Sequence, residues 1–147
     1  MIHSTAILDG DIHLGPGASV GYYTILRGCI LAGRNLRVGS HSSIEGTVMI
    51  GDDVTIRGKC EIPNAVIGSR VSIYSGVKFY DTPNPPDGPN LPPRICDDVT
   101  ICCDSAILGG VTVGAGSFIG ARVFVIEDVP PGSFVTAESS YKVRPRR

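Results

Sequence analysis

The chain has 147 residues and a formal net charge of −1, which fits one domain and offers no bulk charge for nucleic acid or an anionic membrane. Glycine (19 residues) and proline (11 residues) make up about a fifth of it, which argues against a helical bundle because they are the poorest helix formers. Hydrophobic residues reach 42%, enough to bury a core, and no apolar run approaches a membrane span. We therefore expect a soluble, cytoplasmic protein.

Aliphatic residues recur at every sixth position along most of the chain. The first eleven positions of this period are all apolar: Ile2, Leu8, Leu14, Val20, Leu26, Ala32, Val38, Ile44, Ile50, Ile56 and Ile62. The segment after Ile62 is one residue short, and the period then resumes at Ile67 and runs, with one break between Phe79 and Ile95, to Val125. An α-helix with 3.6 residues per turn would scatter these positions around its surface, so the period is not helical.

Each hexad has the pattern of a short strand followed by a tight corner. Small or β-branched residues stand two positions before the aliphatic one, and residues two apart share one face of a strand, so both point inward. Glycine often follows the aliphatic residue, and Gly, Asn or Asp, which tolerate positive φ, often stand third after it. Three hexads close a triangular coil, and about seven coils stack at about 4.8 Å. This predicts an all-β parallel β-helix with Ile50, Ile56, Ile101 and Ile119 buried and no long helix before Ala137.

The hexads at 113–118 and 119–124 follow the pattern aliphatic-Gly-x-x-small-x, and this pattern resembles the hexapeptide-repeat acyltransferases. The segments 107–114 and 127–133 are similar to the last coils of sugar and serine acetyltransferases. The resemblance implies a left-handed, single-stranded β-helix at 1–136, with a loop inserted at 80–94, followed by a basic tail at 137–147. It also implies that three prisms pack as a homotrimer with active sites between subunits.

The loop at 80–94 is the first candidate site, because a rigid protrusion on a regular scaffold is a common place for function. It has six prolines in fifteen residues and cannot continue a strand ladder. Where sugar O-acetyltransferases of this family have a histidine motif similar to Asp-His-Asn-His-Pro, this chain reads Asp-Thr-Pro-Asn-Pro at 81–85, without histidine. An amine that is deprotonated in solution needs orientation and an oxyanion donor more than a base, so Asn84 is a candidate catalytic residue. Tyr80, Asp81 and Asn90 are then candidate substrate-binding residues, although all of these side chains also suit ordinary turns.

His41 is the second candidate catalytic residue, since a histidine that titrates near neutrality can deprotonate a hydroxyl. The repeat places it at an outward corner, in a column with Tyr23 and Lys59. That corner differs from the corner of the loop, so the two can meet only if a neighbouring subunit supplies the loop. A solvated surface position is the alternative interpretation of His41. It is the main interpretation of His3 and His13, which lie near the N-terminal end.

Cofactor-binding residues follow from the same resemblance. The family places the pantetheine arm of acetyl-CoA along the late coils, here around Gly110, Ala115 and Gly120. Family members often end in a motif with a cation that contacts the phosphates of coenzyme A, and Lys142 and Arg144 are the candidates in this tail. Glycines at these positions also suit the corners of the fold, and the tail also suits a solvated surface.

The sequence thus favours an acyl-CoA-dependent acyltransferase that moves an acetyl group to an amino or hydroxyl group of a sugar or nucleotide-sugar. The alternative is a non-catalytic structural or assembly subunit that has lost its catalytic histidine. A zinc enzyme of the gamma carbonic anhydrase type is disfavoured, because the three histidines fall on separate coils. The five cysteines form no CxxC pair, so we expect no metal and no disulfide.

Overall fold

The structure is a computed structural model that describes residues 1–82, 87–138 and 144–145. These ranges contain sixteen strands and no helix. The strands are β1 (Ile7–Leu14), β2 (Ser19–Val20), β3 (Ile25–Ala32), β4 (Arg37–Val38), β5 (Ser43–Ile50), β6 (Thr55–Ile56), β7 (Glu61–Ile67), β8 (Ser72–Ile73), β9 (Lys78–Phe79), β10 (Arg94–Ile95), β11 (Thr100–Ile101), β12 (Ala106–Ile107), β13 (Thr112–Val113), β14 (Phe118–Ile119), β15 (Phe124–Val125) and β16 (Phe134–Val135).

The strands stack into three parallel faces around one axis. The first face begins with the long strands β1, β3, β5 and β7 and continues through β9, β12 and β15. The second half of each long strand turns onto the second face, which β10 and β13 extend. The third face is β2, β4, β6, β8, β11, β14 and β16. Neighbouring coils pair in parallel one coil apart, as Ile7 with Ile25 and Arg37 with Thr55. The predicted left-handed β-helix of about seven coils is confirmed.

The core is the column of aliphatic side chains inside the prism. Ile56, Ile101 and Ile119 have no exposed surface, and Ile50 is also buried, so the predicted inward positions are confirmed. Because each coil contributes only a few side chains to a layer, every inward position contacts the layers above and below it. Stability is therefore largely a sum of interactions between neighbouring coils.

The corners use left-handed backbone conformations. In the corner between the third and first faces, Tyr23, His41 and Lys59 all have positive φ, between 53° and 60°. Asn35 and Asp53 do the same at the corner between the second and third faces, where Asn and Asp are tolerated better than other residues with a Cβ. The predicted strand-and-corner pattern of the hexad is thus present.

A column of buried hydroxyl and thiol groups forms hydrogen bonds with the backbone at the corner between the third and first faces. Ser42 Oγ donates to the carbonyl of Arg57 at 2.9 Å and accepts from the Cys60 N–H at 3.1 Å. Thr24, one coil earlier, makes the same pair of bonds with Gly39 and Ser42. Backbone groups at this corner, which the strand ladder does not reach, are satisfied in this way.

The short segment after Ile62 is accommodated at the corner between the first and second faces. The long strands turn this corner at glycines, Gly10, Gly28 and Gly46, all with positive φ. In β7 one residue, Asn64, replaces two, and the pairing of β5 with β7 shifts by one position there. The following coils are back in phase, which explains why the period resumes at Ile67.

The last described strand, β16, ends at Val135, and of the predicted tail only 137–138 and 144–145 lie within the described residues. The division into a prism at 1–136 and a tail at 137–147 therefore stays a prediction. In the part of the chain that the structure describes, no helix is long and apolar enough to span a membrane.

Candidate functional site

The proline-rich loop leaves the prism at the corner between the first and second faces. Its first residue is fixed by a hydrogen bond from the Tyr80 N–H to the carbonyl of Ile107, at 2.8 Å. The two arms are joined by a bond from the Leu91 N–H to the carbonyl of Asp81, also at 2.8 Å. The base of the loop is therefore a closed, hydrogen-bonded structure held on the coil that follows it.

Gly109 makes this close approach possible. A Cβ added at Gly109 would lie 2.6–2.8 Å from backbone atoms of Asp81, Thr82 and Leu91. Real Cβ atoms do not approach backbone so closely, so any other residue here would push the loop away from the prism.

Asn64 connects the loop to the coil below it. Its Oδ1 accepts a hydrogen bond from the Thr47 N–H at 2.8 Å, which replaces the partner lost where the strand is one residue short. Its Nδ2 donates to Oδ2 of Asp81 at 2.8 Å. The side chain of Asn64 thus fixes the Asp81 carboxylate at the entrance of the loop.

These residues line a surface cavity of about 310 Å³ beneath the loop, formed by Thr47, Asn64, Asp81, Asn90 and Pro92. A carboxylate, two amides and a hydroxyl are the groups that bind amines and polyols through hydrogen bonds. Among the described residues, Asn64 donates to Oδ2 of Asp81, and none donates to Oδ1. The structure therefore brings together two of the predicted site residues, Asp81 and Asn90, in one polar cavity.

Tyr80 lies beside this cavity but faces another way. Its ring packs edge-to-face on Phe124, with ring centroids 6.1 Å apart, and it belongs to the outer surface of the first face. Asn84, the predicted catalytic residue, lies outside the described residues. Its role, like that of the other predicted site residues, stays a prediction.

His41 is placed at the other corner, as the repeat predicted. It is exposed, has a φ of 60°, and its ring lies 5.4 Å from the ring of Tyr23. The corner between the third and first faces is not the corner from which the loop leaves. Within one chain, the structure therefore does not bring His41 to the cavity beneath the loop.

The predicted cofactor positions are distributed over the late coils. Gly110, Ala115 and Gly120 occupy three successive corners of one coil, between β12 and β13, β13 and β14, and β14 and β15. Within a single chain they do not form one surface. Arg144 is exposed, and Lys142 lies outside the described residues.

The side chains of His3 and His13 form polar contacts with residues two positions away in the sequence. His3 Nδ1 lies 2.9 Å from the Thr5 hydroxyl, and His13 Nε2 lies 2.6 Å from an oxygen of Asp11. In the described ranges, no three His, Cys, Asp or Glu side chains converge in a way that would hold a metal ion.

Thr47 and Asn64 also line the cavity, but they are not among the site residues that the sequence predicts. The shortened hexad after Ile62 was the available signal, because a missing residue in a stack of coils leaves backbone groups that a side chain must satisfy. The position of that side chain beneath the loop depends on how the coils stack, which the period alone does not give.

No family model matches the chain. A plasmid-encoded serine acetyltransferase of Synechococcus elongatus is 41% identical over 78 residues, which are 48% of this chain and 24% of that protein. The Bacillus subtilis serine acetyltransferase is 38% identical over 82 residues, 56% of this chain and 35% of that protein. The chain thus spans about a quarter to a third of the length of these curated relatives.

The fold is also found among solved structures. A candidate acetyltransferase from Bacillus cereus superposes with a TM-score of 0.50 and 23% identity, over 90% of this chain and 70% of that protein. At this identity the likeness concerns the fold. The sequence relatives and this fold together confirm that the chain is a hexapeptide-repeat β-helix that resembles the acetyltransferases built on this repeat.

Proposed function

We propose that the protein is an acyl-CoA-dependent acyltransferase that transfers an acetyl group from acetyl-CoA to a sugar or nucleotide-sugar. The sequence relatives are named as acetyltransferases, which supports the reaction class. The observation on which the proposal rests is the cavity of Thr47, Asn64, Asp81 and Asn90 beneath the loop. It supplies fixed polar groups for an acceptor on an otherwise regular scaffold.

An amino group is the acceptor that this cavity favours. The loop contains no histidine, and the described residues around the cavity offer a carboxylate and two amides instead. The Asp81 carboxylate, held through Oδ2 by Asn64, would orient the nitrogen through Oδ1. Asn84 would donate to the oxyanion that forms when the amine attacks the thioester carbonyl. The amine attacks in its deprotonated form, and the proton that the nitrogen then loses passes to the departing thiolate of coenzyme A, so that the products are the amide and the free thiol.

A hydroxyl acceptor would require a base, and His41 is the candidate for it. Because His41 and the loop lie at different corners of one chain, this route needs a homotrimer in which the loop of one subunit approaches His41 of the next. Acetyl-CoA would lie along the late coils near Gly110, Ala115 and Gly120 of adjacent subunits, with its phosphates near Lys142 and Arg144. The distribution of these positions over three corners supports a site shared between subunits.

The direct test is product detection by mass spectrometry after incubation with acetyl-CoA and a panel of amino sugars and neutral sugars. A thiol-detecting dye is unsuitable because Cys29 and Cys103 are exposed. We expect transfer to an amine, and we expect Asp81→Asn to lower kcat/KM by about tenfold to a hundredfold, since a hydrogen bond to a charged group contributes about 1.5–3 kcal/mol.

Asp87→Asn is the matched control, because Asp87 is an exposed loop carboxylate that does not line the cavity. Equal losses in both variants would contradict a specific role for the cavity. If acetyl-CoA neither raises the Tm nor donates its acetyl group to any acceptor, the structural or assembly role is the better interpretation.

A further inference from the structure

A second cavity, of about 340 Å³, lies on the third face at its corner with the first face. Its polar side chains are Arg37, Thr55, Arg57 and Ser75, and the backbone of Gly39 and Gly58 completes its wall. It is on a different face and a different corner from the cavity beneath the loop, so the two are separate sites within one chain.

The cavity is positively charged. Arg37 pairs in register with Thr55, and Arg57 stands two positions further along the same coil. With the usual strand spacing and rise, their Cα atoms lie about 8 Å apart, so the two guanidinium groups can reach one ligand. No carboxylate lines the cavity. Among the described residues no carboxylate lies within 4 Å of either arginine, in contrast to Arg70, which is paired with Asp98 at 2.7 Å.

Arg57 is held in place before any ligand binds. Its guanidinium carbon lies 5.3 Å from the centre of the Tyr74 ring, a cation–π contact that is favourable for arginine. A side chain fixed in this way loses less conformational freedom on binding. Among the described residues, none accepts a hydrogen bond from the Arg57 guanidinium, so its N–H donors are available for an anion.

We propose that this cavity binds the diphosphate or phosphate group of a small phosphorylated molecule. Guanidinium groups pair with phosphate oxygens through two parallel hydrogen bonds, and the hydroxyls of Thr55 and Ser75 add neutral donors. A small ligand fits a cavity of this size, whereas a nucleic acid would require a longer basic track than these two arginines. Within one chain, none of the residues involved belongs to the cavity beneath the loop, so pyrophosphate binding can be tested separately from acyl transfer.

Isothermal titration calorimetry with inorganic pyrophosphate, at constant ionic strength, tests the proposal. Constant ionic strength matters because general attraction of anions to exposed cations is screened by salt. We expect saturable binding to the wild-type protein. Arg37→Gln and Arg57→Gln should each weaken binding by about tenfold to a hundredfold, the range for losing hydrogen bonds to a charged group.

Arg34→Gln is the matched control, since it removes one exposed arginine that does not line the cavity. Arg57→Lys keeps the charge but loses the planar fork, so it should also weaken binding. The Tm of each variant without ligand shows that it is folded. Absence of saturable binding to the wild-type protein would overturn the proposal, and so would equal weakening by Arg34→Gln or full binding by Arg57→Lys.

Discussion

The buried hydroxyl of Ser42 makes a sharp prediction about what holds the coils together. Its Oγ accepts a hydrogen bond from the Cys60 N–H and donates one to the carbonyl of Arg57. Ser42→Ala leaves both backbone groups without this partner in the interior. Each unsatisfied group costs about 1–3 kcal/mol, so we expect a total loss of about 2–6 kcal/mol in the free energy of unfolding. For a chain of this size, each kcal/mol lowers the Tm by about 2–4 °C, so the Tm should fall by roughly 4–24 °C.

Urea denaturation followed by circular dichroism measures this loss. Ser43→Ala is the control, because the Ser43 hydroxyl bonds to Glu45 at the partly exposed surface of the prism; its removal should change the free energy of unfolding by less than about 1 kcal/mol. Ser42→Thr should preserve stability, since Thr24 makes the equivalent bonds one coil earlier. If Ser42→Ala is no more destabilising than Ser43→Ala, the hydroxyl column does not stabilise the corner as argued.

Further predictions concern the two catalytic candidates, the packing of the loop and the buried thiol. If Asn84 donates to the oxyanion, Asn84→Ala should lower kcat/KM by about tenfold to a thousandfold with an unchanged Tm. If His41 is the base, His41→Ala should lower the rate by about a hundredfold to ten-thousandfold. Steady-state kinetics that show both variants fully active would reject both roles. Gly109→Ala should destabilise the protein by about 1–3 kcal/mol and expose the loop to protease, and an unchanged cleavage pattern would show that the loop does not pack on that coil. Burial raises the pKa of the Cys60 thiol to about 11. Iodoacetamide at pH 8 should therefore label exposed Cys103 in the folded protein and Cys60 only after unfolding, which peptide mass spectrometry measures. Rapid labelling of Cys60 in the folded state would contradict its burial.

The repeat predicted the fold almost completely because it is a local property. A hexad such as the one containing Ile56 contains its own strand, its own corner and its own inward side chain, and stacking only repeats this unit. The candidate site is different. Asp81 and Asn90 could be selected from the loop, but Thr47 and Asn64 come from two earlier coils.

The contribution of those two residues depends on long-range pairing. It is determined by how a single missing residue is absorbed across the stack, and a side-chain bond from Asn64 to Asp81 spans 17 residues. The same limit applies to the arginine cavity, because Arg37 and Arg57 become neighbours only when two coils are in register. The residues that form the core follow from the period, and the residues that meet at the surface follow from the pairing.

The insertion of the loop has a consequence for how such a protein could diversify. Strand β10 pairs with β7 in the ordinary parallel register. The Ser69 N–H and its partner Asp97 are nevertheless 28 residues apart, whereas backbone N–H groups and their side-chain partners on neighbouring coils elsewhere are 16 to 18 residues apart. The ladder thus closes as if the additional residues were absent. Doubling the length of a flexible loop costs only about 0.6 kcal/mol. The segment between Thr82 and Asn90 is therefore the part of the loop that can be exchanged, and a segment of different length or chemistry there should change the groups offered to the proposed acceptor without re-registering any coil.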